Sequence, residues 1–464
     1  MATFAESAPV AALEPTLGDV STETSPEASP SADQSDQSDP SEKPAPEEGQ
    51  LLKQARAKLA ELYEIHDYYF SADKGEKAEM IAGLITEIQG LLDGLGEGAN
   101  STERAAIAYI RGKAFDASER HDGRAEEWLS RAVKLNPLSC EAWNAMGHCV
   151  WKRGNLAGAK HCFERGLELR TNKASLQQLS MLLRSIPAPD IEARAKQIAE
   201  SVTKAHEAVA LDVSDHHSWY ILGNAYCGVF FQVSHRLSDL ARALQAYSRA
   251  DANGGENNPD LHFNRGNVLR YREDYHEAVS NYKAAKELDP SLPTEDNIGD
   301  IERHVRRAAE LIEKKGRIKS KKLSKIQGEL AAVERPAAAP ANAEACGIAG
   351  LADGDNEGKV LALRVLLPMS GGEIPPESFL VIDEAGDCVI LSIYDINRKG
   401  SASLNDNSTV HIVAPVMRTV TYDHDGVSAT YRCVSVQNPA TVYVGGEAMA
   451  VAFRNEAHFA NFDA

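Results

Sequence analysis

Near the middle of this 464-residue chain stands Trp219-x-x-Leu222-Gly223-x-x-Tyr226, and related runs recur on both sides of it at near-constant spacing. One begins at Trp143, Met146 and Gly147 and continues with Ala159 and Phe163. Another places Gly266, Ala278, Tyr282, Ala285 and Pro290 in matching positions, and the earliest offers Gly112, Ala125, Leu129, Ala132 and Pro137. Gly112 to Gly147 is 35 residues, while Ala125 to Ala159 and Leu129 to Phe163 are each 34. The 76 residues from Gly147 to Gly223 are too long for two plain repeats. Leu176-x-x-Leu179-Ser180-x-x-Leu183 fills that gap, with Ser in place of Gly. The intervals from Ser180 to Gly223 and from Gly223 to Gly266 are both 43, and the extra residues fit around Pro187–Ala193 and Phe231–Ser238.

A period of about 34 residues with these residue types is the tetratricopeptide repeat pattern of paired helices. Gly or Ser lets two helices approach, small Ala seats them, and the aromatic fills the space between them. No pair can bury its apolar face alone, so the pairs stack into a solenoid with a concave, peptide-holding side. Ahead of Gly112, residues 51–70 and 78–95 have helical periodicity through Leu51, Ala55, Leu59 and Leu62, then Ile81, Leu84, Ile85, Ile88 and Leu92. They are expected to form a divergent first pair. Residues 296–328 read as one long basic helix that closes the other end.

Beyond that helix the chain changes character. Residues 331–358, most clearly 335–358, are rich in Ala, Pro, Gly and Asp and read as a linker. Short β-rich runs follow: Val360–Leu367, Phe379–Ile382, Cys388–Tyr394, Val410–Val413, Val416–Tyr422, Ala429–Val436 and Thr441–Val444, punctuated by Gly386, Gly400, Gly426 and Gly445–Gly446. About a hundred residues of this kind make a small sandwich or barrel, and an OB-type barrel fits the size. The expected class is therefore α+β multidomain: an acidic tail over 1–50, a solenoid over 51–330 with its basic capping helix, the linker, and a barrel over 359–460.

Composition narrows the function. The net charge of −19 is uneven, because residues 1–50 hold eleven Asp and Glu against one Lys. That tail is rich in Ser, Pro, Ala and Glu without hydrophobic period, so disorder is expected and a secretory signal is not. No run approaches the roughly 18 apolar residues of a membrane span. The seven cysteines form no C-x-x-C pair, which favours buried thiols in a reducing compartment, cytosol or nucleus, over zinc ligands. G-x-S-x-G, H-E-x-x-H and phosphate-loop signatures are absent, so no enzyme, metal or cofactor is expected. His216–His217 read as a helix start.

Two constellations point to recognition. With the motif glycine taken as position eight, the first helix of each repeat faces the groove at positions two, five, nine and twelve. That count presents Asn144, His148 and Trp151; Arg184; Tyr220, Asn224 and Cys227; and Asp260, Phe263, Asn267 and Arg270. Asn side chains can pair with an extended peptide backbone, Arg184 offers a fork for a carboxylate, and Asp260 accepts from a cation. Solvated surface charge is the alternative for both ionic groups. The second constellation is basic: ten Lys or Arg from Arg303 to Lys325, among them Arg317, Lys319, Lys321 and Lys322, against Glu310 and Glu313. Such a patch binds phosphate backbones such as RNA without reading sequence. A solvated helix end or a nuclear-import stretch has the same composition. The barrel tyrosines (394, 422, 431 and 443) are few for a base-stacking platform.

The runs 174–184 (ASLQQLSMLLR), 218–224 (SWYILGN), 258–265 (NPDLHFNR) and 315–323 (KGRIKSKKL) resemble the tetratricopeptide repeat protein 5 family, and the similarity extends from about residue 55 to 455. The resemblance implies a ribosome-associated reader of the Met-Arg-Glu-Ile or Met-Arg-Glu-Cys terminus of nascent tubulins. Such a reader recruits an adaptor and a deadenylase so that tubulin mRNA decays, which implies a cytoplasmic site of action. Carried over by motif, Arg184 would pair with the nascent Glu, Asp260 with the nascent Arg, and Lys319 and Lys321 would lie on ribosomal RNA. The second acid would be Glu295, displaced by one residue. The family also implies an alternative, a nuclear stress-responsive co-activator scaffold for a histone acetyltransferase and chromatin.

Overall fold

The computed structural model describes residues 49–70, 74–95, 100–337, 339–340, 342–369, 376–405 and 408–450. The tail expected before residue 49 and the last stretch of the barrel, from 451, lie outside them. The helices run in pairs: α1 Gln50–Tyr68 with α2 Lys74–Asp93, α3 Ser101–Asp116 with α4 Gly123–Leu135, and α5 Cys140–Lys152 with α6 Leu156–Leu169. Next come α7 Lys173–Ser185 with α8 Ile191–Leu211, α9 His216–Val229 with α10 Leu237–Ala250, and α11 Pro259–Tyr271 with α12 Tyr275–Leu288. Side-chain caps start most of them: Asn100, Asp122, Ser139, Asn155, Asn172, Asp190, Asp215 and Asn258 each accept from a first-turn N–H.

The small residue of the motif works as the spacing implies. A Cβ on Gly223 would stand 2.3 Å from the Tyr247 ring, and on Gly147 2.5 Å from the Phe163 ring, so the aromatic of the second helix lies flat against the first helix backbone. The Ser180 repeat uses another contact. Its hydroxyl lies 3.0 Å from Ser201 Oγ, which also donates to the Ser180 carbonyl at 2.7 Å. The longer intervals are taken up by the 21-residue α8 and by π-turns at Phe230–Ser234 and Asp251–Gly255.

The expected single basic helix is two. α13 (Thr294–Glu313) ends, and Lys315, Gly316 and Arg317 all take positive φ before α14 (Ser320–Ala331) begins. The bend is held from outside the helices: Lys315 Nζ donates to the Gly386 carbonyl at 2.7 Å, and Gln327 Nε2 donates to that of Glu384 at 3.2 Å. A straight helix would carry Ile326 and Leu330, both buried, away from the β domain they pack on.

The seven sequence-predicted strands are present as β3 Lys359–Pro368, β4 Glu377–Ile382, β5 Cys388–Ile393, β6 Thr409–Val413, β7 Val416–His424, β8 Val427–Val436 and β9 Val442–Val444. Three short strands join them: β1 Glu344–Cys346, β2 Gly354–Asp355 and β10 Glu447–Ala448. The sheet order is β10-β9-β6-β3-β4-β5-β8-β7-β2, with β1 parallel to β3 and β5 parallel to β8. β3 pairs with β6 through Val360–Arg364 and with β4 through Arg364–Pro368, across a register shift between Val365 and Leu367. That bulge curls the sheet into the barrel. The stretch read as a linker is packed rather than open. Ile348 and Leu351 are buried in the barrel core, and Ile348 N–H donates to Asp383 Oδ2 at 2.9 Å.

Inside the barrel lie Leu361, Leu363, Val365, Phe379, Val381, Leu391 and Val434. The opposite face, with Leu380, Ile382, Ile390, Tyr422, Tyr431 and Cys433, shares one core with Tyr275, Tyr282, Ile301, Val305, Ile326 and Leu330 of the last helices. Strands buried on both faces read as unbroken apolar runs, as Phe379–Ile382 and Val389–Leu391 do. At this joint Glu273 occupies the inter-helix turn position that Gly154 takes in the Gly147 repeat, with φ of 63°. Its carboxylate, 2% exposed, accepts from Ser392 Oγ at 2.7 Å and Tyr394 OH at 3.1 Å. Arg418 reaches back from β7 to the Arg272 carbonyl and to Asp274 Oδ1.

Burial pushes the Glu273 carboxyl above its ordinary value, ahead of the opposing hydrogen bonds of Ser392 and Tyr394 and the charge of Arg418. The folded chain therefore keeps a proton that the unfolded chain has released, and stability falls as pH rises from the ordinary Glu value through the raised one. Urea unfolding of Glu273→Gln across that window is expected to show a flatter pH dependence than wild type. An equal slope would remove Glu273 as its source.

Candidate peptide groove and basic surface

First helices of the repeats converge on a cavity of about 800 Å³. Its wall takes Tyr63, Asp67 and Tyr68 from α1, Tyr109, Lys113 and Asp116 from α3, and Asn144 and His148 from α5. Lys173, Gln177, Gln178 and Met181 come from α7, His216, His217 and Tyr220 from α9, and Asp260 from the start of α11. Because each first helix packs beside the next, polar residues of successive helices join a ladder beneath this wall. Ser175 Oγ donates to Asn144 Oδ1 at 2.6 Å, and Gln177 Nε2 to Asp215 Oδ2 and Ser218 Oγ, both at 2.9 Å. Tyr247 OH donates to Asn224 Oδ1 at 2.7 Å, and Asn264 Nδ2 to Tyr220 OH at 3.0 Å. Each bond contributes about 1 kcal/mol and holds the wall in register.

The structure brings Asn144, His148, Tyr220 and Asp260 to the cavity and separates the other expected contacts from it. Asp260 reaches solvent on its outer side, while the protein around it, and then Asp289, raise its carboxyl above the usual range. Asn224 is 4% exposed and committed to Tyr247 and Asn264. Asn267 accepts from Tyr282 OH at 2.8 Å. Glu295 is exposed and ion-paired with Lys286, away from the wall. Arg184, expected on the concave face, is 6% exposed; its Nη1 donates to the Ser180 carbonyl, Ser180 Oγ and Ser201 Oγ at 3.1–3.2 Å. Cys227 is buried against Tyr247, and Trp151 packs on Phe163. At positions nine and twelve of the later repeats, Arg184, Asn224 and Cys227 are buried under neighbouring helices.

Several wall residues lie outside the set that the sequence reading presents. The same count applied to the Gly112 repeat gives Tyr109, Lys113 and Asp116, and applied to Ser180 it gives Ala174, Gln177 and Met181. All six line the cavity. The signal for them is present in the repeat register itself. That α1 contributes Tyr63–Tyr68 is a product of superhelical curvature, which no local pattern encodes.

On the basic segment Lys319, Lys321 and Lys322 are exposed at the start of α14. Arg317 is exposed but engages Glu310, as does Lys314, and the two cations hold the Glu310 carboxyl below its usual range. Of the barrel tyrosines, Tyr394, Tyr422 and Tyr431 are buried at the joint, so that sheet face receives the solenoid and offers no stacking surface. Burial also raises the thiols of Cys149, to about 12, and Cys162, to about 11, as unreactive core residues. Among the described residues no group of His, Cys, Asp and Glu is placed to hold a metal, and no helix is long and apolar enough to cross a membrane.

A walled solenoid groove docked on an OB-type barrel defines a protein-interaction adaptor of the tetratricopeptide repeat class. The model of the tetratricopeptide repeat protein 5 OB fold domain matches residues 342–457, and the tetratricopeptide repeat model matches residues 259–292. Tetratricopeptide repeat protein 5 of Homo sapiens is 30% identical over 415 residues, and that of Mus musculus 31% over 423. Each alignment covers 86% of this chain and 93% of the relative. The chain belongs to the tetratricopeptide repeat protein 5 family.

Support and contact separate experimentally. Arg184→Ala removes a buried charged network and is expected to cost about 2–4 kcal/mol. Asp260→Asn, at the groove rim, is expected to cost less than about 1 kcal/mol. Urea denaturation of the two variants checks both figures; equal losses would contradict the assignment.

Proposed function

We propose that this chain is a ribosome-associated adaptor that reads the N-terminal Met-Arg-Glu-Ile or Met-Arg-Glu-Cys of nascent tubulins and triggers decay of their mRNA. The observation that carries this is the pairing, in a member of this family, of a groove bearing Asp260 and Tyr220 with exposed lysines at 319, 321 and 322. Asp260 receives the nascent guanidinium, and Tyr220 and the ladder beneath it hold the wall against which the peptide lies. Arg184 meets the nascent carboxylate only if it leaves Ser180 and Ser201; from its folded position it supports α7. The lysines take phosphates of ribosomal RNA, which places the groove beside an emerging chain. The mRNA-decay adaptor and its deadenylase then act on the same ribosome, in the cytoplasm.

A fluorescent Met-Arg-Glu-Ile peptide is expected to bind wild type, and Asp260→Asn to weaken it about tenfold or more by anisotropy. Unchanged affinity in that variant would end the assignment of Asp260. Lys319→Glu with Lys321→Glu is expected to abolish co-sedimentation with ribosomes while free-peptide affinity stays at the wild-type value. Retained co-sedimentation would move the ribosomal contact elsewhere.

A further inference from the structure

The geometry points to a second reading site in the half of the groove built by α1, α3, α5 and α7, taking a basic side chain of the bound peptide downstream of its first four residues. This inference rests on the peptide-reading function proposed above. In that reading Asp260 engages the second residue of the ligand at the α11 end of the cavity. One residue precedes it, so only later residues of the peptide can fill the rest of the groove.

The wall there is built for a donor-rich group. Asp116 is 3% exposed; its Oδ2 meets His148 Nδ1 at 2.6 Å, while its buried Oδ1 makes no hydrogen bond. Lys152 pairs with that oxygen at 3.6 Å, beyond hydrogen-bond reach, and gives two of its three hydrogens to the main-chain carbonyls of Asp116 and Ser118. On α7, Gln178 lines the same cavity, and its buried Oε1 also has no hydrogen-bond partner. Buried acceptors are nearly always satisfied, so two on one wall call for a ligand that brings N–H groups. The dyad fixes His148, whose ring is 38% exposed and lines the cavity. With Nδ1–H turned to Asp116, Nε2 is left as a third acceptor.

The charges of the wall agree. Asp67, Asp116, Glu141, Asp215 and Asp260 line the cavity against Lys113 and Lys173. Lys173 is taken by Asp212 and Asp215 at 2.8 and 3.1 Å, and Lys113 sits over the Tyr63 ring at 4.5 Å. That contact shows the tyrosine face already holding a cation, and a Lys or Arg side chain entering beside Tyr63 and Tyr109 finds the same attraction. Adjacent first helices are about 8–10 Å apart, and extended chain covers about 3.3 Å per residue. From Asp260 to His148 and Asp116 the path crosses three or four helices, so the basic residue falls roughly eight to twelve positions after the one at Asp260.

The test is a set of peptides of about sixteen residues that begin Met-Arg-Glu-Ile and continue in Gly and Ser, with a single Lys walked through the later positions. Wild type is expected to bind the peptides with Lys at one or two neighbouring positions about five- to tenfold tighter than the Lys-free parent. Asp116→Asn and His148→Ala are expected to reduce that gain to less than about twofold, read as the ratio of Lys-bearing to parent affinity within the same variant. The exposed ring of His148 makes its variant informative even if Asp116→Asn folds poorly. No gain at any position, or a gain kept in both variants, would overturn the second site while leaving the tetrapeptide reading intact. Binding of Lys-bearing peptides without binding of the parent would instead overturn the tetrapeptide reading and leave the site standing.

Discussion

The last repeat and the barrel share one hydrophobic core, and the placing of the basic segment against the barrel depends on that joint. Tyr275, Tyr282, Ile301 and Val305 belong to the same apolar cluster as Leu380, Ile390, Tyr422 and Tyr431. A buried acid, Glu273, sits at this joint. Glu273 holds a left-handed turn that a glycine would adopt at lower cost, and it does so because its carboxylate is gripped by Ser392 and Tyr394 of the barrel. The strain of the turn and the desolvation of the acid are offset only while the barrel is docked.

That joint also assigns work to surfaces. The barrel face that could have met nucleic acid is occupied by the chain's own helices, which shifts any phosphate contact to the lysines at the start of α14. The bend between α13 and α14 exists because Lys315 and Gln327 are tied to the β4–β5 turn, so the barrel sets where those lysines point. The groove is formed by the first helices of the repeats, its wall kept in register by the hydroxyl, amide and carboxylate ladder from Asn144 to Asn264.

Much of the architecture was legible because it is written in short-range periods. Gly147 with Phe163 and Gly266 with Tyr282 recur at fixed offsets since one helix pair repeats, and the strands from β3 to β9 announced themselves by β-rich runs between glycines. The site was legible in part. Tyr220 and Asp260 fell on the wall where the repeat register put them. Arg184, Asn224 and Asn267 were given the same register but are drawn into hydrogen bonds with neighbouring helices, which a count along one helix cannot detect.

What the sequence alone determined is therefore the local geometry: which segments are helix or strand, which small residue meets which aromatic, and where the charges lie along the chain. The tertiary structure decided which charges face a ligand. A side chain at position twelve becomes a buried strut or a groove contact according to what packs over it, and a basic stretch becomes straight or bent according to what it rests on. Those outcomes depend on contacts between residues far apart in the chain, such as Glu273 with Ser392 or Tyr68 and Asp260 on one cavity, and burial there, not residue type, sets the chemistry.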